Sequence, residues 1–463
     1  MPIRVRFAPS PTGPFSLGNA RTALFNWLFA RHSEGEFLLR IEDTDKERSQ
    51  KKFENEIIES LKWLGLNWDG DIVYQSQRLE IYKHYLEKLL KEGWAYYCQC
   101  SPEKLEAERQ AQLSQGLVPK YSGHCRNLNY QSGVIRFKMP EKIVSFHDLI
   151  RGNIKFDTSL IGDIVIAKSL EEPLYNFAVV IDDWEMNISH VIRGEDHISN
   201  TPKQLMIGEA LGIKPPKYAH LPLILTPQRQ KLSSRFLQKS FSDYQKEGYL
   251  PEAMLNFLVL LGWHPSRDRE ILSLEEMINE FDLSRVQKGG AVFNQLKLDW
   301  LNAYYLRHLK TEKLLDYLKP FIPAFWLKDE NLLKKVIEIE KERLKSLKDF
   351  VSLSQFFFEL KDYPAELLIW GNSPPSKIMS NLEALYQLIK NKNESDLAGP
   401  ELEAEIFLLA QKEGRGEVFW PLRVALSGER NSPPPLQIAQ VLGQKESLRR
   451  IKLALEKLKS LNK

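Results

Sequence analysis

A turn rich in proline and glycine near the N-terminus has the residues and the spacing to bind a phosphate group. It occupies residues 9–22 and reads Pro-Ser-Pro-Thr-Gly-Pro-Phe-Ser-Leu-Gly-Asn-Ala-Arg-Thr. The apolar run before it, at 3–8, predicts a strand, and the spacing of apolar residues at 20–31 predicts a helix. The unpaired N–H groups and the positive dipole end of that helix favour an anion. Gly18 would let the backbone approach it closely.

The three cysteines of the chain lie close together in the sequence, as a metal site requires. They are Cys98, Cys100 and Cys125. Zinc prefers four nitrogen or sulfur ligands in a tetrahedron. Tyr121 is one candidate for the fourth position, and His124 could take it only with a rearranged turn. Because free buried cysteines are also common, the residues leave both a zinc site and three reduced thiols open.

Composition places the chain among ordinary soluble proteins of more than one domain. It has 463 residues, which suggests two to four domains. The net charge of +3 does not imply general nucleic-acid binding, so any RNA contact must come from local basic patches. No apolar run is long enough to span a membrane, and the N-terminus lacks a signal-peptide core. With so few cysteines, we expect a cytoplasmic protein.

The periodicity of apolar residues predicts an α/β region that is interrupted by an insertion and followed by helices. The first 70 residues alternate strands and helices, which is typical of a parallel sheet. The alternation resumes at 175–211, so the residues between are interpreted as an insertion. Short strands are predicted inside the insertion at 134–138, 145–149 and 152–156. Beyond Pro251 almost every segment is predicted to be helical.

The turn at 9–22 resembles the nucleotide-binding motif of class I aminoacyl-tRNA synthetases, and specifically of the glutamyl-tRNA synthetase family. The family's motif, called HIGH, begins with a histidine where this chain has Ser16. A second family motif, KMSKS, matches Lys231-Leu-Ser-Ser-Arg235, with Ser234 where the family has a phosphate-contacting lysine. The resemblance extends over essentially the whole chain. It implies that the ATP loops contain Ser16, Gly18, Asn19, Lys231, Ser233, Ser234 and Arg235.

The resemblance also implies the architecture of the chain. The expected fold is an α/β Rossmann-like catalytic domain with an inserted acceptor-binding domain, followed by all-α stem-contact and anticodon-binding domains. The expected boundaries are 1–73 and 174–235 for the split catalytic domain, 74–173 for the insertion, 236–310 for the stem-contact domain and 311–463 for the anticodon-binding region.

A glutamate pocket needs a cation for the side-chain carboxylate and an acid for the ammonium group. Arginine suits the first role because its planar fork binds a carboxylate in two places. The family resemblance assigns glutamate binding to Arg6, Ala8, Ser10, Glu42, Tyr175 and Arg193. It assigns ATP binding to Pro9, Thr12, Glu195 and Asp196. By residue type, Arg6 or Arg193 can hold the carboxylate and Glu42 can pair with the ammonium group.

The activity implied by the resemblance is ATP-dependent attachment of L-glutamate to tRNA(Glu) through glutamyl-adenylate, with Mg²⁺ bridging the ATP phosphates. Some members of the family bind Zn²⁺ through Cys-x-Cys and Cys-x-(His/Asp), but this chain has Asn127, a poor ligand, at the last position. The chain is expected to be a monomer.

The departures at Ser16, Ser234 and Asn127 raise a rival interpretation, a tRNA-binding paralogue with weak or no amino-acid activation. Against it, an abandoned pocket should also have lost Arg6 and Glu42, which are present. Specialised charging of tRNA(Gln) is a further alternative. A short tRNA-modifying relative of the family is disfavoured by the long helical C-terminal region.

Overall fold

The computed structural model describes residues 2–232 and 239–461. The chain divides into two compact units. One comprises the chain up to Lys246 together with Leu250–Leu301, and the other comprises Glu247–Tyr249 and the chain from Asn302. In the described ranges, no helix combines the length and the apolar character needed to cross a lipid bilayer.

All strands of the described residues lie in the first unit. In chain order they are β1 (Arg4–Phe7), β2 (Glu36–Ile41), β3 (Val73–Tyr74), β4 (Ala95–Cys98), β5 (Val134–Phe137), β6 (Ile143–Asp148), β7 (Gly152–Asp157), β8 (Ile164–Ser169), β9 (Glu172–Pro173), β10 (His190–Gly194), β11 (Lys217–Leu221), β12 (Ile224–Leu225) and β13 (Ala291–Val292).

The α-helices follow in the same order along both units. They are α1 (Leu17–His32), α2 (Lys51–Trp63), α3 (Leu79–Lys91), α4 (Pro102–Ser114), α5 (Tyr175–Glu185), α6 (Thr201–Leu211), α7 (Phe241–Lys246), α8 (Pro251–Leu260), α9 (Leu274–Glu280), α10 (Gln295–His308), α11 (Thr311–Leu318), α12 (Glu330–Glu340), α13 (Asp349–Phe358), α14 (Pro375–Lys390), α15 (Pro400–Glu413), α16 (Arg415–Ser427) and α17 (Pro435–Leu461).

In the central sheet of the first unit, two groups of strands lie side by side, and the order of the strands along the chain reverses between β1 and β10. On one side, β1, β2 and β3 pair in parallel. On the other, β10 pairs in parallel with β11, β11 pairs with β6 at Tyr218 and Asp148, and β7 closes the edge antiparallel to β6. The two groups meet at Ser189, whose N–H donates to the carbonyl of Arg4 over 2.9 Å. Such a reversal leaves a crevice at the carboxyl ends of the two central strands, where α/β proteins bind ligands.

Helix α1 packs against this sheet and begins three residues before the predicted start. The reason is Ser16, which caps the helix by accepting a hydrogen bond from the N–H of Asn19 over 3.2 Å. Leu24, Phe25 and Leu28 are fully buried. The helix end that faces the preceding turn is therefore fixed by a side-chain cap and an apolar core.

The predicted insertion contains a separate antiparallel sheet in the order β4, β5, β8 and β9. Its core joins Leu86 and Leu89 of α3 to Ile135 and Phe137 of β5. The predicted strands near 134–138, 145–149 and 152–156 are confirmed. The last two, however, form a hairpin in the central sheet, because Asp148 of β6 pairs with Tyr218 of β11.

The second unit is helical throughout its described residues, as the sequence predicts. Trp326, Leu333, Ile337 and Phe350 are buried within it. Its last helix, α17, is kinked at Gly443, where φ is +76°, a value that glycine adopts without strain.

Candidate active site

A cleft of about 470 Å³ opens in the first unit at the carboxyl ends of β1 and β10. It brings together most of the residues that the sequence nominates. They are Arg6, Ala8, Pro9, Ser10, Ser16, Gly18, Asn19, Glu42, Tyr175, Arg193, Asp196 and Lys231. Thr12 and Glu195 are not among the residues that line this cleft. Ser233, Ser234 and Arg235 lie outside the described residues.

The start of α1 forms the anion-binding wall of the cleft. Its first N–H groups have no acceptor inside the helix and carry the positive end of the helix dipole. A Cβ at Gly18 would lie 3.6 Å from the Oγ of Ser16, an ordinary contact distance. The fold therefore tolerates a side chain at Gly18, and its absence leaves the helix start open to a ligand.

One buried carboxylate fixes the cationic and acidic groups at the floor of the cleft. The Oδ1 of Asp183 accepts hydrogen bonds from the Nε of Arg6 (3.0 Å) and from a terminal nitrogen of Arg40 (2.8 Å). Arg40 also donates to Glu42 over 3.1 Å. Its Nε lies 3.6 Å from Asp182. Because Asp183 holds Arg6 through Nε, the two terminal nitrogens of Arg6 stay available to a ligand in the cleft.

The charges in this network are unevenly balanced. Burial raises the pKa of Asp183, but Arg6 and Arg40 outweigh that effect and lower it below its ordinary value. Burial raises the pKa of Glu42, and the attraction of Arg40 and Arg6 does not fully offset the increase. Glu42 is thus the acid of the network that gains most from a further cation, such as a ligand ammonium group.

Arg193 is a buried cation whose hydrogen-bond partners are all uncharged. One terminal nitrogen donates to Thr201 (2.8 Å) and to Gln204 (2.9 Å), and its Nε donates to the Nε2 of His220 (3.2 Å). No carboxylate pairs with it among the described residues. A buried guanidinium without a counter-ion favours binding of an anionic ligand.

His220 can accept from Arg193 because its other nitrogen is engaged by Asp148. The Nδ1 of His220 lies 2.6 Å from the Oδ2 of Asp148. Burial lowers the pKa of His220 below its ordinary value despite Asp148, and Arg193 lowers it further. A neutral ring that donates from Nδ1 presents a lone pair at Nε2, so the histidine holds the guanidinium without neutralising it.

Tyr175 lies across the cleft beside a second neutral histidine. Its hydroxyl group is 3.0 Å from the Nδ1 of His197. Burial, together with the charge of Arg193, lowers the pKa of His197 to about 4. This pair forms a polar, uncharged wall next to the two arginines.

Lys231, which begins the second loop motif, is anchored at the rim of the cleft. Its Nζ lies 3.3 Å from Asp196, and both side chains are at least half exposed. A Cβ at Gly194 would come within 2.6 Å of this carboxylate, so a side chain there would displace the Asp196 carboxylate. Glu195 instead accepts from the N–H of Leu223 over 2.7 Å and pairs with Arg151. It therefore stabilises the segment that leads to Lys231.

The three cysteines converge on Tyr121, away from the cleft. Their sulfur atoms lie within 4.8 Å of one another, with Cys100 and Cys125 at 3.4 Å. The hydroxyl of Tyr121 is 3.5 Å from both Cys98 and Cys100. Burial disfavours a thiolate, but hydrogen bonds, that of Tyr121 foremost, lower the pKa of Cys98 to about 7. Three sulfurs and one oxygen thus occupy positions suited to a four-coordinate zinc ion.

The second unit contains a cavity of about 490 Å³ lined by aromatic and basic side chains. Phe407 and Phe419 contact each other edge to face at 5.4 Å, and the guanidinium of Arg415 lies 5.4 Å from the Phe407 ring centre. Arg423 also lines the cavity, and among the residues described its buried Nε has no hydrogen-bond partner. Aromatic faces beside arginines are suited to stacking and hydrogen bonding of an unpaired base.

Several residues in or directly behind the cleft were not nominated from the sequence. Arg21 and Gly194 line the cleft, whereas Arg40, Asp148, Asp183, Gln204 and His220 lie outside its lining. Arg21 donates to the carbonyl groups of Pro222 and Leu261. Burial lowers its pKa to about 10, against the attraction of Glu195. The one signal in the sequence was a charge inside an apolar run, as at Arg40, which marks a buried ion pair.

The comparisons with known proteins agree with this geometry. Residues 2–300 match the family described as tRNA synthetases class I (E and Q), catalytic domain, and residues 313–455 match an anticodon binding domain. Glutamate–tRNA ligase from Aquifex aeolicus is 45% identical over 98% of this chain and 99% of its own length. Glutamate–tRNA ligase 2 from Thermoanaerobacter pseudethanolicus is 41% identical over 100% of this chain and 99% of its length.

A solved structure gives the same result. The crystal structure of a glutamate tRNA ligase from Elizabethkingia meningosepticum, in complex with its amino acid, superposes with a TM-score of 0.88 at 34% identity. It covers 99% of this chain and 100% of that chain. The protein therefore belongs to the glutamate–tRNA ligase family of class I aminoacyl-tRNA synthetases.

Proposed function

We propose that this protein attaches glutamate to tRNA in an ATP-dependent reaction that passes through glutamyl-adenylate. The observation that carries the proposal is the joint placement of Arg6, Glu42 and Arg193 beside the start of α1 in one cleft. This set offers cations for a carboxylate, an acid for an ammonium group and an anion-binding helix end for a triphosphate. These are the groups that a glutamate and an ATP molecule need when they are held side by side.

The positive and negative side chains at the floor of the cleft orient the glutamate substrate. Arg193, held by neutral partners, and the free terminal nitrogens of Arg6 attract the side-chain carboxylate of glutamate. Glu42 pairs with the ammonium group. The α-carboxylate is then directed toward the start of α1, where its oxygen attacks the α-phosphorus of ATP and pyrophosphate leaves. The role of the protein is to hold both reactants in contact and to supply hydrogen-bond donors where negative charge grows.

The donors at the two ATP loops differ from those of the family. The Oγ of Ser16 accepts from Asn19, and its own proton remains available to a phosphate oxygen. Lys231 lies at the rim of the cleft and is the cation of the second loop that the structure describes. The half-exposed carboxylate of Asp196 would help to hold Mg²⁺, which would offset negative charge on the ATP phosphates and needs few protein ligands.

Zinc would bind Cys98, Cys100, Cys125 and Tyr121. The four donor atoms already lie within contact distance of one another, which supports the fit. Tyr121 takes the position that Asn127 cannot fill. The ion would fix the end of β4 to the segment around Cys125 and has no part in the chemical step.

For the RNA partner, we propose tRNA(Glu), with an unpaired anticodon base bound in the cavity against Phe407, Phe419 and Arg415. The match of residues 313–455 to an anticodon binding domain supports this placement. We further propose the four-part division at 1–73 with 174–235, 74–173, 236–310 and 311–463, a monomeric enzyme, and a cytoplasmic location.

The test is a charging assay with purified protein, total tRNA and radioactive glutamate. Incorporation into acid-insoluble material that depends on ATP supports the proposal. Separated tRNA(Glu) and tRNA(Gln) then show which species is charged. Arg6→Lys should abolish most of the incorporation, whereas Arg4→Lys, two residues earlier on β1 and outside the cleft, should not. Binding of tRNA without incorporation on any species would instead support the binding paralogue.

A further inference from the structure

A second cavity of about 340 Å³ lies in the first unit at the opposite ends of the central strands. It is lined by Ile3 before β1, by Ser189 and His190 at the start of β10, and by Lys217 at the start of β11. The catalytic cleft opens at the other ends of β1 and β10. The two cavities therefore open at opposite ends of these strands.

The walls of this second cavity are mostly apolar. Helices α5 and α6 contribute Val179, Val180 and Leu205, and the following segment contributes Ile213 and Pro215. His190 is neutral, because burial lowers its pKa to about 4. An apolar, ring-shaped molecule would displace few water molecules bound to polar groups here, and burying its apolar surface would be favourable.

One acceptor atom of a residue that lines this cavity has no hydrogen-bond partner within the described part of the chain. Asp183 lines the second cavity and not the catalytic cleft, and about nine-tenths of its side chain is buried. Its Oδ1 accepts from both Arg6 and Arg40, but no hydrogen bond reaches its Oδ2 among the described residues. Because two guanidinium groups already balance this carboxylate, a neutral N–H donor suits Oδ2 better than another cation.

The same walls contact both arginines of the glutamate pocket. Asp183 holds Arg6 at 3.0 Å, and Gln204, which also lines the second cavity, accepts from Arg193 at 2.9 Å. A molecule that moves either wall residue must change the position of an arginine that faces the cleft.

From these contacts we infer that the second cavity is a binding site for a compact neutral heteroaromatic molecule whose ring N–H donates to the Oδ2 of Asp183, and that its occupancy weakens glutamate binding. The site goes beyond the proposed charging activity. Direct binding to it requires neither ATP nor tRNA, so it can be measured separately from that activity.

The experiment uses indole as the probe and 1-methylindole, which has nearly the same shape but no N–H group, as its matched control. Binding to the full chain is measured by calorimetry. We expect indole to bind about tenfold more tightly than 1-methylindole, the loss expected for one missing hydrogen bond to a buried acceptor. Val180→Phe, which fills the cavity, should abolish indole binding. Gly208→Val is a second filling variant, since a Cβ at Gly208 meets its neighbours only at 3.7 Å or more.

The coupling is measured by adding indole to the charging assay. We expect the KM for glutamate to rise at least about threefold in the unmodified protein and to stay constant in the filled variant. Equal affinity for the two probes, no binding of indole, or binding that survives in a folded filled variant would each overturn the site. Binding with an unchanged KM for glutamate would overturn the coupling.

Discussion

His220 and Arg193 contact each other through two nitrogen atoms 3.2 Å apart, and the histidine is the acceptor. This is possible because the Nδ1–H of the same ring donates a hydrogen bond to the Oδ2 of Asp148 over 2.6 Å. The pair keeps the guanidinium fixed while leaving its positive charge unbalanced. The cation proposed to bind the glutamate side chain is thus positioned by a residue that does not line the cleft.

The first prediction concerns this acceptor. His220→Phe should raise the KM for glutamate about tenfold or more, because Arg193 loses a charge-assisted hydrogen bond, while the KM for ATP changes little. His220→Gln, which can still accept, should recover part of the loss. The exposed His147 on β6, changed to Gln, is the control and should have no effect. Equal increases in both KM values, or no rescue by Gln, would show that His220 is only a packing residue.

The second prediction concerns the two loop serines. Ser16→His combined with Ser234→Lys restores the family's donors, each of which is worth about 3 kcal/mol in the transition state at such sites. We expect kcat for charging to rise. Thermal stability should fall slightly, because loss of the Ser16 cap costs about 1 kcal/mol. An unchanged or lower kcat would indicate a site rebuilt around serine.

The third prediction concerns zinc. Metal analysis of the purified full chain should find one zinc ion per molecule. Tyr121→Phe should lower the zinc content and Cys125→Ser should abolish it, whereas Tyr130→Phe, a neighbouring tyrosine packed against the cluster, should leave it unchanged. A metal-free protein whose melting temperature does not respond to added zinc would contradict the assignment.

The fourth prediction concerns pH and the second unit. Glu340 is fully buried. Arg343 donates to its Oε2 over 2.8 Å, and no hydrogen-bond partner reaches its Oε1 in the ranges that the structure describes. Burial raises the pKa of Glu340 to about 7 despite Arg343. The pKa of a glutamate in the unfolded chain is about 4.3. Between about pH 4.3 and pH 7, Glu340 is therefore protonated in the folded state and ionised in the unfolded state. The contribution of Glu340 to the free energy of unfolding is therefore fully present below about pH 4.3 and is lost as the pH rises through 7.

Glu340→Gln should therefore remove this pH dependence. We expect the variant to exceed the unmodified protein in melting temperature at pH 8, and to lose that advantage at pH 5, with a swing of up to about 3 kcal/mol. The matched control is Glu338→Gln, on the same helix and half exposed. Parallel pH profiles for Glu340→Gln and the unmodified protein would contradict the buried, proton-binding state of Glu340.

Much of the fold followed from local patterns. The turn at 9–22 predicted a strand, a phosphate-binding turn and a helix because each has its own short-range signal. The family resemblance nominated Arg6 and Glu42, and residue type assigned their roles. Asp183 could not be found this way. It lies on α5, and an acid in a helix is usually interpreted as an exposed surface charge. Its partner Arg6 is 177 residues away in the sequence. The pairing of β6 with β11, which brings Asp148 to His220, likewise depends on a tertiary contact with no local signature.

The most direct test of the proposed glutamate and ATP pocket is a crystal structure of the protein with glutamyl sulfamoyl adenosine, a non-hydrolysable analogue of glutamyl-adenylate. We predict that the side-chain carboxylate of the ligand contacts Arg6 and Arg193, that its ammonium group contacts Glu42, and that its sulfamoyl group lies at the start of α1. A ligand bound outside this cleft, or one whose carboxylate avoids both arginines, would contradict it.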